Sequence, residues 1–243
     1  MTTSVMFCYA HPDDETFLSA GLIRTLSDEG FPPALLLATS GDAGQKNGAY
    51  RDWTREKLGT LREQEMAAAA KILGIADSRF LRLPDGRLQE TDEAWFVQQV
   101  AEAINQVQPS AVFTFPPDGG NGHQDHRAIS RIVTKAVVEG HCSSVRQLYY
   151  VFSDSLAQEG RTPAVTIDTL PLWPIKADAL RAHDSQIEAI KRYFGDLSDC
   201  LPERRYEAFA LAWESGAWWP EISETRARAS LGLPHPVIPE QSG

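Results

Sequence analysis

Two short segments of the chain combine histidine and aspartate at a spacing that suits metal binding. The first is His11-Pro12-Asp13-Asp14-Glu15, and the second is His123-Gln124-Asp125-His126. In each segment a histidine precedes a second potential ligand by three residues, so the two side chains can converge in a turn that runs into a helix. Imidazole nitrogen and carboxylate oxygen without thiolate suit a catalytic Zn²⁺ ion, with non-haem Fe²⁺ as the alternative.

These segments contain more polar groups than a metal needs. If a water takes one coordination position, three protein ligands suffice, and acids and one imidazole are left over. A spare carboxylate can take a proton from water, and a spare imidazole can protonate a leaving amine or stabilise an oxyanion. The inventory indicates metal-assisted hydrolysis of an amide or ester. Each segment alone is also compatible with an acidic helix start that binds no metal, because carboxylates favour helix N-termini.

Each segment follows an apolar run that predicts a buried strand. We expect strands at about 4–10 and 110–115, followed by helices at about 15–29 and from the second segment to about 139. In open α/β sheets, ligands bind in the crevice beyond the strand ends. The recurrence of strand, break and polar helix start therefore favours a shared site over two unrelated helix starts.

Alternating strands and helices predict an α/β fold with a mostly parallel sheet covered on both faces. The other predicted strands lie at about 34–39, 79–83, 147–152 and 164–167. The other predicted helices lie at about 53–73, 91–107, 172–193 and 203–212. Pro163 makes the last strand a candidate for the sheet edge. We expect one domain over residues 1–243, with an irregular tail over about 213–243 packed on the body.

The composition limits the classes of partner. The chain of 243 residues has 23 Lys and Arg against 33 Asp and Glu, a formal net charge of -10. An acidic surface repels phosphate backbones and anionic lipid headgroups, so we expect neither nucleic acid nor a membrane as a partner. A small-molecule substrate is expected, and a homo-oligomer is compatible with the sequence.

The cysteines and the N-terminus indicate a cytoplasmic protein. The chain has three scattered cysteines, Cys8, Cys142 and Cys200, and no CxxC pair, which favours reduced thiols. No signal-peptide pattern precedes the first strand, and no apolar run approaches the ~20 residues of a membrane span.

The two polar segments match the signatures of a known family. Residues Ala10 to Glu15 resemble the AHPDDE signature of the LmbE-like, or PIG-L, superfamily of zinc-dependent N-deacetylases, and residues His123 to His126 resemble its HxDH signature. Weaker matches extend the resemblance over about residues 4–190. These matches are Gly41-Asp42-Ala43-Gly44, Arg62-Glu63-Gln64-Glu65 with Leu73-Gly74, Leu83-Pro84-Asp85-Gly86, and the segment from Lys176 to Gln186.

The resemblance implies a Rossmann-like three-layer sandwich that holds one zinc ion. It assigns the metal ligands to His11, Asp14 and His126. By the same likeness Asp13 is the general base, and His123, oriented by Asp125, is the electrostatic or acid partner.

The resemblance also indicates the substrate class. Substrates of the family are mostly N-acetylglucosamine derivatives, so we expect removal of an N-acetyl group from a small soluble derivative of this type. The alternatives are a zinc amidase acting on a non-sugar amide, such as a thiol conjugate, and a metal-binding module without catalysis. Some thiol-sugar members carry Tyr two residues before the HxDH histidine. Asn121 occupies that position here, which weakens an assignment to that branch, although an amide could also donate a hydrogen bond.

Three residues are predicted to contact the substrate: Arg62, Asp85 and Asn121. The planar guanidinium of Arg62 could hold a sugar hydroxyl or phosphate, or pair with Glu65 in its own helix. Asp85 lies in a turn after a strand, where aspartate often forms the turn, and is a candidate for a hydroxyl contact. Glu15 is predicted to support the helix start or to hold a metal ligand in place, and His183 to be structural, with a functional role as the alternative.

Overall fold

Eight strands form one sheet in the computed structural model, which describes residues 4–46 and 48–235. The strands are β1 (Val5–Tyr9), β2 (Ala34–Leu37), β3 (Asp77–Phe80), β4 (Ala111–Thr114), β5 (Gln147–Val151), β6 (Val165–Asp168), β7 (Tyr206–Glu214) and β8 (Ala217–Trp218). Their order is β3-β2-β1-β4-β5-β7-β6, and β8 pairs with β7. Strands β1 to β5 pair in parallel, whereas β7 is antiparallel to β5, β6 and β8.

Helices cover the sheet in two groups. In the described residues they are α1 (Asp14–Asp28), α2 (Arg55–Leu73), α3 (Glu93–Val107), α4 (Gln124–Val138), α5 (Asp154–Gln158), α6 (Trp173–Ala182), α7 (Ile187–Phe194) and α8 (Glu224–Leu231). Helices α1, α2 and α6 pack on one another, and α3 packs on α4. Every residue of β1, β2 and β4 is buried, as expected for strands covered on both faces. The predicted Rossmann-like three-layer α/β sandwich is confirmed.

None of the helices within residues 4–46 and 48–235 combines the length and the apolar character needed to cross a membrane.

Strand β1 lies at the point in the sheet where the strand order reverses. It pairs with β2 on one side, where Cys8 faces Leu36, and with β4 on the other, where Phe7 faces Phe113. The chain adds β2 and β3 outward from β1 and then returns to add β4 and β5 on the opposite side. This reversal opens a crevice at the carboxyl ends of β1 and β4. Both histidine-containing segments begin at these two strand ends.

Aromatic side chains fix the central strands against one another. The rings of Phe7 and Phe113 lie 5.0 Å apart, and Phe113 stacks on Tyr149 of β5 at 4.6 Å. Tyr9 contacts Phe115 edge-on at 5.0 Å and shares a 2.6 Å hydrogen bond with Ser19 of α1. Such ring pairs contribute roughly 0.5–1.5 kcal/mol each beyond their buried area. They hold the end of β1 in a defined place beside the end of β4.

The predicted helix at about 203–212 is wrong. Residues Tyr206–Glu214 form β7, which lies between β5 and β6. The segment carries no interruption that excludes a helix, and its strand state depends on hydrogen bonding to two strands far away in sequence. The edge position predicted for β6 is confirmed.

Two further segments differ from the sequence-based expectation. The helix predicted over 172–193 is two helices, α6 and α7, separated by a short 3₁₀ turn at Asp184–Gln186. The predicted tail contains the end of β7, the strand β8 and the helix α8, whose Ala227 and Leu231 are buried in the core. Its last part, residues 236–243, lies outside the described residues.

A buried ion pair between α6 and β7 forms hydrogen bonds with the main chain of α1. Lys176 Nζ lies 2.7 Å from Glu207 Oε1, and both side chains are almost fully buried. The Glu207 carboxylate accepts the main-chain N–H groups of Gly21 and Leu22, both at 3.0 Å, while Lys176 donates to the carbonyl of Phe17 at 3.1 Å. The Phe17 carbonyl and the Gly21 N–H are the two groups that a regular helix would pair with each other. The ion pair therefore anchors the middle of α1 to α6 and β7.

We expect Glu207→Ala to lower the free energy of unfolding by about 3–5 kcal/mol, because it leaves Lys176 buried without its partner. Urea denaturation followed by circular dichroism measures this loss. The matched control is Arg226→Ala, which removes an exposed pair with Glu214 and should cost less than about 1 kcal/mol. Equal effects of the two substitutions would contradict a structural role for the buried pair.

Candidate metal centre and active site

Three histidines meet in the crevice beyond β1 and β4. The ring centroids of His11 and His123 lie 5.0 Å apart, those of His11 and His126 5.3 Å, and those of His123 and His126 4.7 Å. Each ring can offer a nitrogen within 4.8 Å of those of the other two. The three side chains line a cavity of about 850 Å³. Two segments separated by more than a hundred residues thus form one cluster of potential metal ligands.

The carboxylate of Asp14 joins two of these histidines. Its Oδ2 lies 3.4 Å from His11 Nδ1, and its Oδ1 lies 3.3 Å from His126 Nε2. All three residues are buried, with exposed fractions of 6–9%. Two imidazole nitrogens therefore face one carboxylate, which is a donor set that suits a divalent metal with an open coordination position.

The remaining nitrogens of these two histidines have acceptors of their own. His11 Nε2 lies 3.1 Å from Asp85 Oδ1 and 3.2 Å from Asp125 Oδ2, and His126 Nδ1 lies 3.2 Å from the carbonyl of Gly119. An acceptor on the outer nitrogen fixes the imidazole tautomer and leaves the other nitrogen as a lone-pair donor, as in most metal-bound histidines. The residues present therefore fit a metal held by His11 Nδ1, His126 Nε2 and the carboxylate between them.

Negative charge dominates the surroundings of His11. Burial alone would lower the pKa of His11, but its hydrogen bonds to three carboxylates hold that pKa well above its ordinary value. These carboxylates belong to Asp125, Asp14 and Asp85. Burial likewise acts to raise the pKa of Asp14, yet His126 and His11 hold it well below its usual range. The carboxylates of the cluster therefore stabilise a positive charge between them.

Asp125, which the family resemblance assigns to the orientation of His123, contacts that residue through its main chain. The carboxylate turns to the loop after β3, where it accepts the N–H of Gly86 at 2.7 Å and that of Leu88 at 3.0 Å, and it also faces His11. The two loop amides and the imidazole of His11 thus occupy the oxygens of the Asp125 carboxylate. Only the main-chain N–H of Asp125 contacts His123, donating to Nδ1 at 3.2 Å. Asp125 therefore orients His123 through its backbone and His11 through its side chain.

His123 is prepared to act as a neutral hydrogen-bond donor. It is the N-cap residue of α4, is exposed, and lines the cavity. Burial and the neighbouring His11 and His126 lower the pKa of His123, which favours the uncharged imidazole. Because its Nδ1 accepts the N–H of Asp125, the proton of the neutral ring resides on Nε2. The cavity thus has one imidazole whose Nε2–H can donate a hydrogen bond.

Asp13 lines the same cavity and contacts Arg62. Arg62 Nη2 donates to Asp13 Oδ2 at 3.0 Å and also to the carbonyl of Pro12, while its Nη1 donates to the carbonyl of Gly41 at 2.7 Å. Burial raises the pKa of Asp13 to about 6, although the Arg62 guanidinium opposes the shift. A carboxyl group that titrates near neutrality is suited to accept and return a proton.

The glycine-containing loop after β2 makes room for this guanidinium. A Cβ atom at Gly44 would lie 2.7 Å from Arg62 Nη1, and one at Gly41 would lie closer still. Gly41 also has a φ of +67°, which side chains disfavour. The loop that the sequence indicates only as a turn therefore has a second purpose, the close approach of its backbone to Arg62.

The three residues predicted to contact the substrate all line the cavity, but they differ in exposure and in the hydrogen bonds that they already form with the protein. Arg62 is 3% exposed and bonds to protein groups, as described above. Asp85 is 5% exposed, and its oxygens face the N–H of Ala43 at 2.6 Å and His11 Nε2 at 3.1 Å. Asn121 is exposed and uses its Oδ1 to accept the N–H of His123 at 3.0 Å. Contact with substrate stays a prediction for all three.

The far end of the cavity was not identified from the sequence. It is lined by Phe17, Tyr193, Phe194, Arg204 and Tyr206. The rings of Tyr193 and Tyr206 are 45% and 57% exposed, and Arg204 donates from Nε to the carbonyl of Tyr193 at 3.1 Å. These residues come from α1, α7, the turn before β7 and the first residue of β7. Because 203–212 was predicted as a helix, the sequence did not indicate that they lie together. A correct strand assignment there was the one signal that could have placed them.

Comparison with known proteins gives a consistent picture. The family model of GlcNAc-PI de-N-acetylase (PIG-L) matches residues 6–137. A Bacillus cereus protein named probable N-acetyl-alpha-D-glucosaminyl L-malate deacetylase 2 is 31% identical over 192 residues, which cover 78% of this chain and 86% of that protein. The 1D-myo-inositol 2-acetamido-2-deoxy-alpha-D-glucopyranoside deacetylase of Saccharomonospora viridis is 30% identical over 230 residues, covering 75% of this chain and 85% of the relative.

A solved structure shares the fold. The N,N'-diacetylchitobiose deacetylase of Pyrococcus horikoshii superposes with a TM-score of 0.69 at 20% identity, covering 90% of this chain and 86% of that chain. At this level of identity the similarity shows a common architecture.

We expect His126→Gln to weaken Zn²⁺ binding by more than about 100-fold, because loss of a ligand should exceed the 10–100-fold typical of an outer hydrogen-bond partner. His123→Gln should leave the affinity within about threefold, since the geometry pairs Asp14 with His11 and His126 instead. Competition with a chromophoric chelator measures both constants, and His141→Gln, at an exposed histidine, is the control. Equal losses in His126→Gln and His123→Gln would indicate a three-histidine ligand set.

Proposed function

Because the chain belongs to the PIG-L, or LmbE-like, family of N-deacetylases, we propose that it hydrolyses the N-acetyl group of a small N-acetylglucosamine derivative. One observation carries this proposal. The adjacent carboxylates Asp13 and Asp14 have separate surroundings, the second facing two imidazoles and the first facing Arg62. One carboxylate is thus available as a ligand while its neighbour remains free for proton transfer.

We assign the metal ligands to His11, Asp14 and His126 and the metal to zinc, with Fe²⁺ as the alternative that the same donor set accepts. When bound, zinc supplies a Lewis acid that polarises a carbonyl group and lowers the pKa of water. Asp85 and Asp125 support the site by fixing the tautomer of His11 from its other nitrogen.

Asp13 acts as the general base in the proposed reaction. Its carboxylate takes a proton from the attacking water as the oxygen adds to the acetyl carbonyl carbon. The same group then returns the proton to the amide nitrogen as the C–N bond breaks, which yields acetate and a free amine. The pKa of about 6, raised by burial, suits both halves of this exchange.

His123 stabilises the charge that develops during the addition. Its Nε2–H donates to the carbonyl oxygen as that oxygen becomes negative. The backbone N–H of Asp125 keeps the ring in the required tautomer. Asn121, two residues earlier, is exposed in the cavity and lies close enough in sequence for its amide to assist the same oxygen.

The size of the cavity supports a substrate larger than a monosaccharide. Its volume of about 850 Å³ lies in the upper part of the range for small-molecule sites. The far end presents the exposed rings of Tyr193 and Tyr206, which offer flat faces to the second part of a conjugate. The named activities of the relatives concern conjugates of acetylated glucosamine with malate or inositol, and we propose a substrate of this general class.

We expect Asp13→Asn to reduce kcat by about 10²–10⁴-fold, the usual contribution of a positioned general base, while zinc content is unchanged. Released acetate, measured with the malate and inositol conjugates of N-acetylglucosamine, reports the rate. Asp178→Asn makes the same chemical change at an exposed residue paired with Arg181 and should keep wild-type kcat. If Asp13→Asn retained more than about a third of kcat, Asp13 would not be the base.

A substrate panel separates the proposed function from its alternatives. The zinc-loaded wild-type chain is expected to release acetate from N-acetylglucosamine conjugates and to leave non-sugar amides, such as acylated thiol conjugates, intact. Cleavage of the non-sugar amides alone would establish the amidase alternative. Tight zinc binding without hydrolysis of any member of the panel would favour a metal-binding module.

A further inference from the structure

The backbone of Asp13 adopts a conformation that its own residue type does not favour. Its φ is +105°, whereas the other non-glycine residues with positive φ in the described chain lie between +44° and +68°, close to the left-handed helical region. Such a conformation persists only where the surroundings hold it, and it occurs preferentially at functional sites. The groups that hold Asp13 are therefore of direct interest.

Two side chains hold Asp13 from opposite sides. The N–H of Asp13 donates to Glu15 Oε2 at 3.1 Å. Arg62 holds the preceding carbonyl, that of Pro12, together with the Asp13 carboxylate. The peptide before Asp13 is thus fixed at both its oxygen and its hydrogen. Rotation of this peptide would redirect the carboxylate, so the two contacts determine where Asp13 points.

Glu15 depends on His183 for its own position. Glu15 and His183 are both fully buried, with no measurable exposure. Oε1 of Glu15 accepts from His183 Nε2 at 3.1 Å and from the hydroxyl of Thr16. A carboxylate only accepts hydrogen bonds, so the Nε2 nitrogen carries the proton. Nδ1 of His183 has no hydrogen-bond partner among the described residues, so the ring is held through Nε2, which lies 3.1 Å from Glu15 Oε1 and 3.3 Å from the Thr16 hydroxyl.

The turn that carries His183 also supports Arg62. Ser185 donates its N–H and its hydroxyl to the two oxygens of Glu65, both at 2.7 Å. Glu65 lies three residues after Arg62 on α2, so both side chains lie on neighbouring positions of one helical face. The turn after α6 is consequently connected to both holders of Asp13, through His183 to Glu15 and through Ser185 to α2.

We propose that Glu15 and His183 are positioning residues for Asp13: the His183–Glu15 pair fixes the Asp13 N–H and thereby the direction of the general base. This inference rests on the proposed function for its catalytic consequence. It extends the role of His183, for which the sequence favours a structural one. A plain core function would make the pair important for stability alone, whereas positioning makes it important for kcat while KM and zinc content stay the same.

The first test compares two substitutions of His183. His183→Leu removes the donor, and we expect kcat to fall about 10–100-fold with KM within about threefold, since small misplacements of a reacting group have effects of this size. His183→Gln keeps an N–H donor and should recover most of the lost activity. Arg228→Leu, which removes a largely buried side chain bonded to the carbonyls of Thr166 and Pro234, is the control and should change stability but not kcat.

A double-mutant cycle distinguishes positioning from general destabilisation. In an Asp13→Ala background, His183→Leu should cause no further loss of the residual rate, because there is no longer a carboxylate to direct. Additive losses would overturn the proposal. Should His183→Leu fail to fold, Glu15→Gln provides the same cycle, since its NH₂ group places a donor where one carboxylate oxygen now accepts from either His183 or the Asp13 N–H.

A crystal structure of His183→Leu gives a result that does not depend on any substrate. We expect the φ of Asp13 to leave its value near +105° and the carboxylate to move away from its present place beside Arg62. An unchanged Asp13 would overturn the inference. If the wild-type chain cleaved no acetylated sugar, the proposed function would be wrong, and this structure would still decide whether the pair positions Asp13.

Discussion

The concentration of negative charge around one buried imidazole is the constraint on which the rest of the structure depends. Three carboxylates lie 3.1–3.4 Å from the nitrogens of His11, and they belong to Asp14, Asp85 and Asp125. They come from the start of α1, the loop after β3 and the first turn of α4. Buried like charges repel each other unless a cation or fixed donors lie between them. The site is therefore stable only with positive charge at its centre, which a protonated imidazole or a metal can supply.

This constraint explains why the site lies where it does in the sheet. The crevice between β1 and β4 brings together three separate strand–helix connections, those that follow β1, β3 and β4. The buried strands keep their ends fixed. The main-chain N–H groups of Ala43, Gly86 and Leu88 donate hydrogen bonds to the carboxylates of Asp85 and Asp125. The Lys176–Glu207 pair secures α1, which begins with a ligand of the cluster. The fixed strand ends and the anchored helix thus hold the three carboxylates close together despite their mutual repulsion.

The parts of this arrangement that are local in sequence could be predicted, and the parts that depend on distant partners could not. Apolar runs that end in His11 and shortly before His123 identify two strand–helix turns, because both the burial and the polar break are encoded within a few residues. By contrast β7 is a strand only because β5 and β6 lie beside it. The direction of the Asp125 carboxylate depends likewise on amides 37 and 39 residues away. Periodicity indicates which residues are buried but not which groups they will meet.

The same distinction applies to the adjacent carboxylates. Asp13 and Asp14 are chemically identical, and nothing in their order along the chain determines which binds a metal and which transfers a proton. Their surroundings differ because the backbone turns sharply at Asp13, with φ at +105°, so that the Asp14 side chain faces His11 and His126 and the Asp13 side chain faces Arg62. That turn is maintained by Glu15 of α1, which belongs to the signature, and by Arg62 of α2, which lies far outside it. The signature therefore supplies the reacting groups, whereas the assignment of their roles is a property of the whole fold.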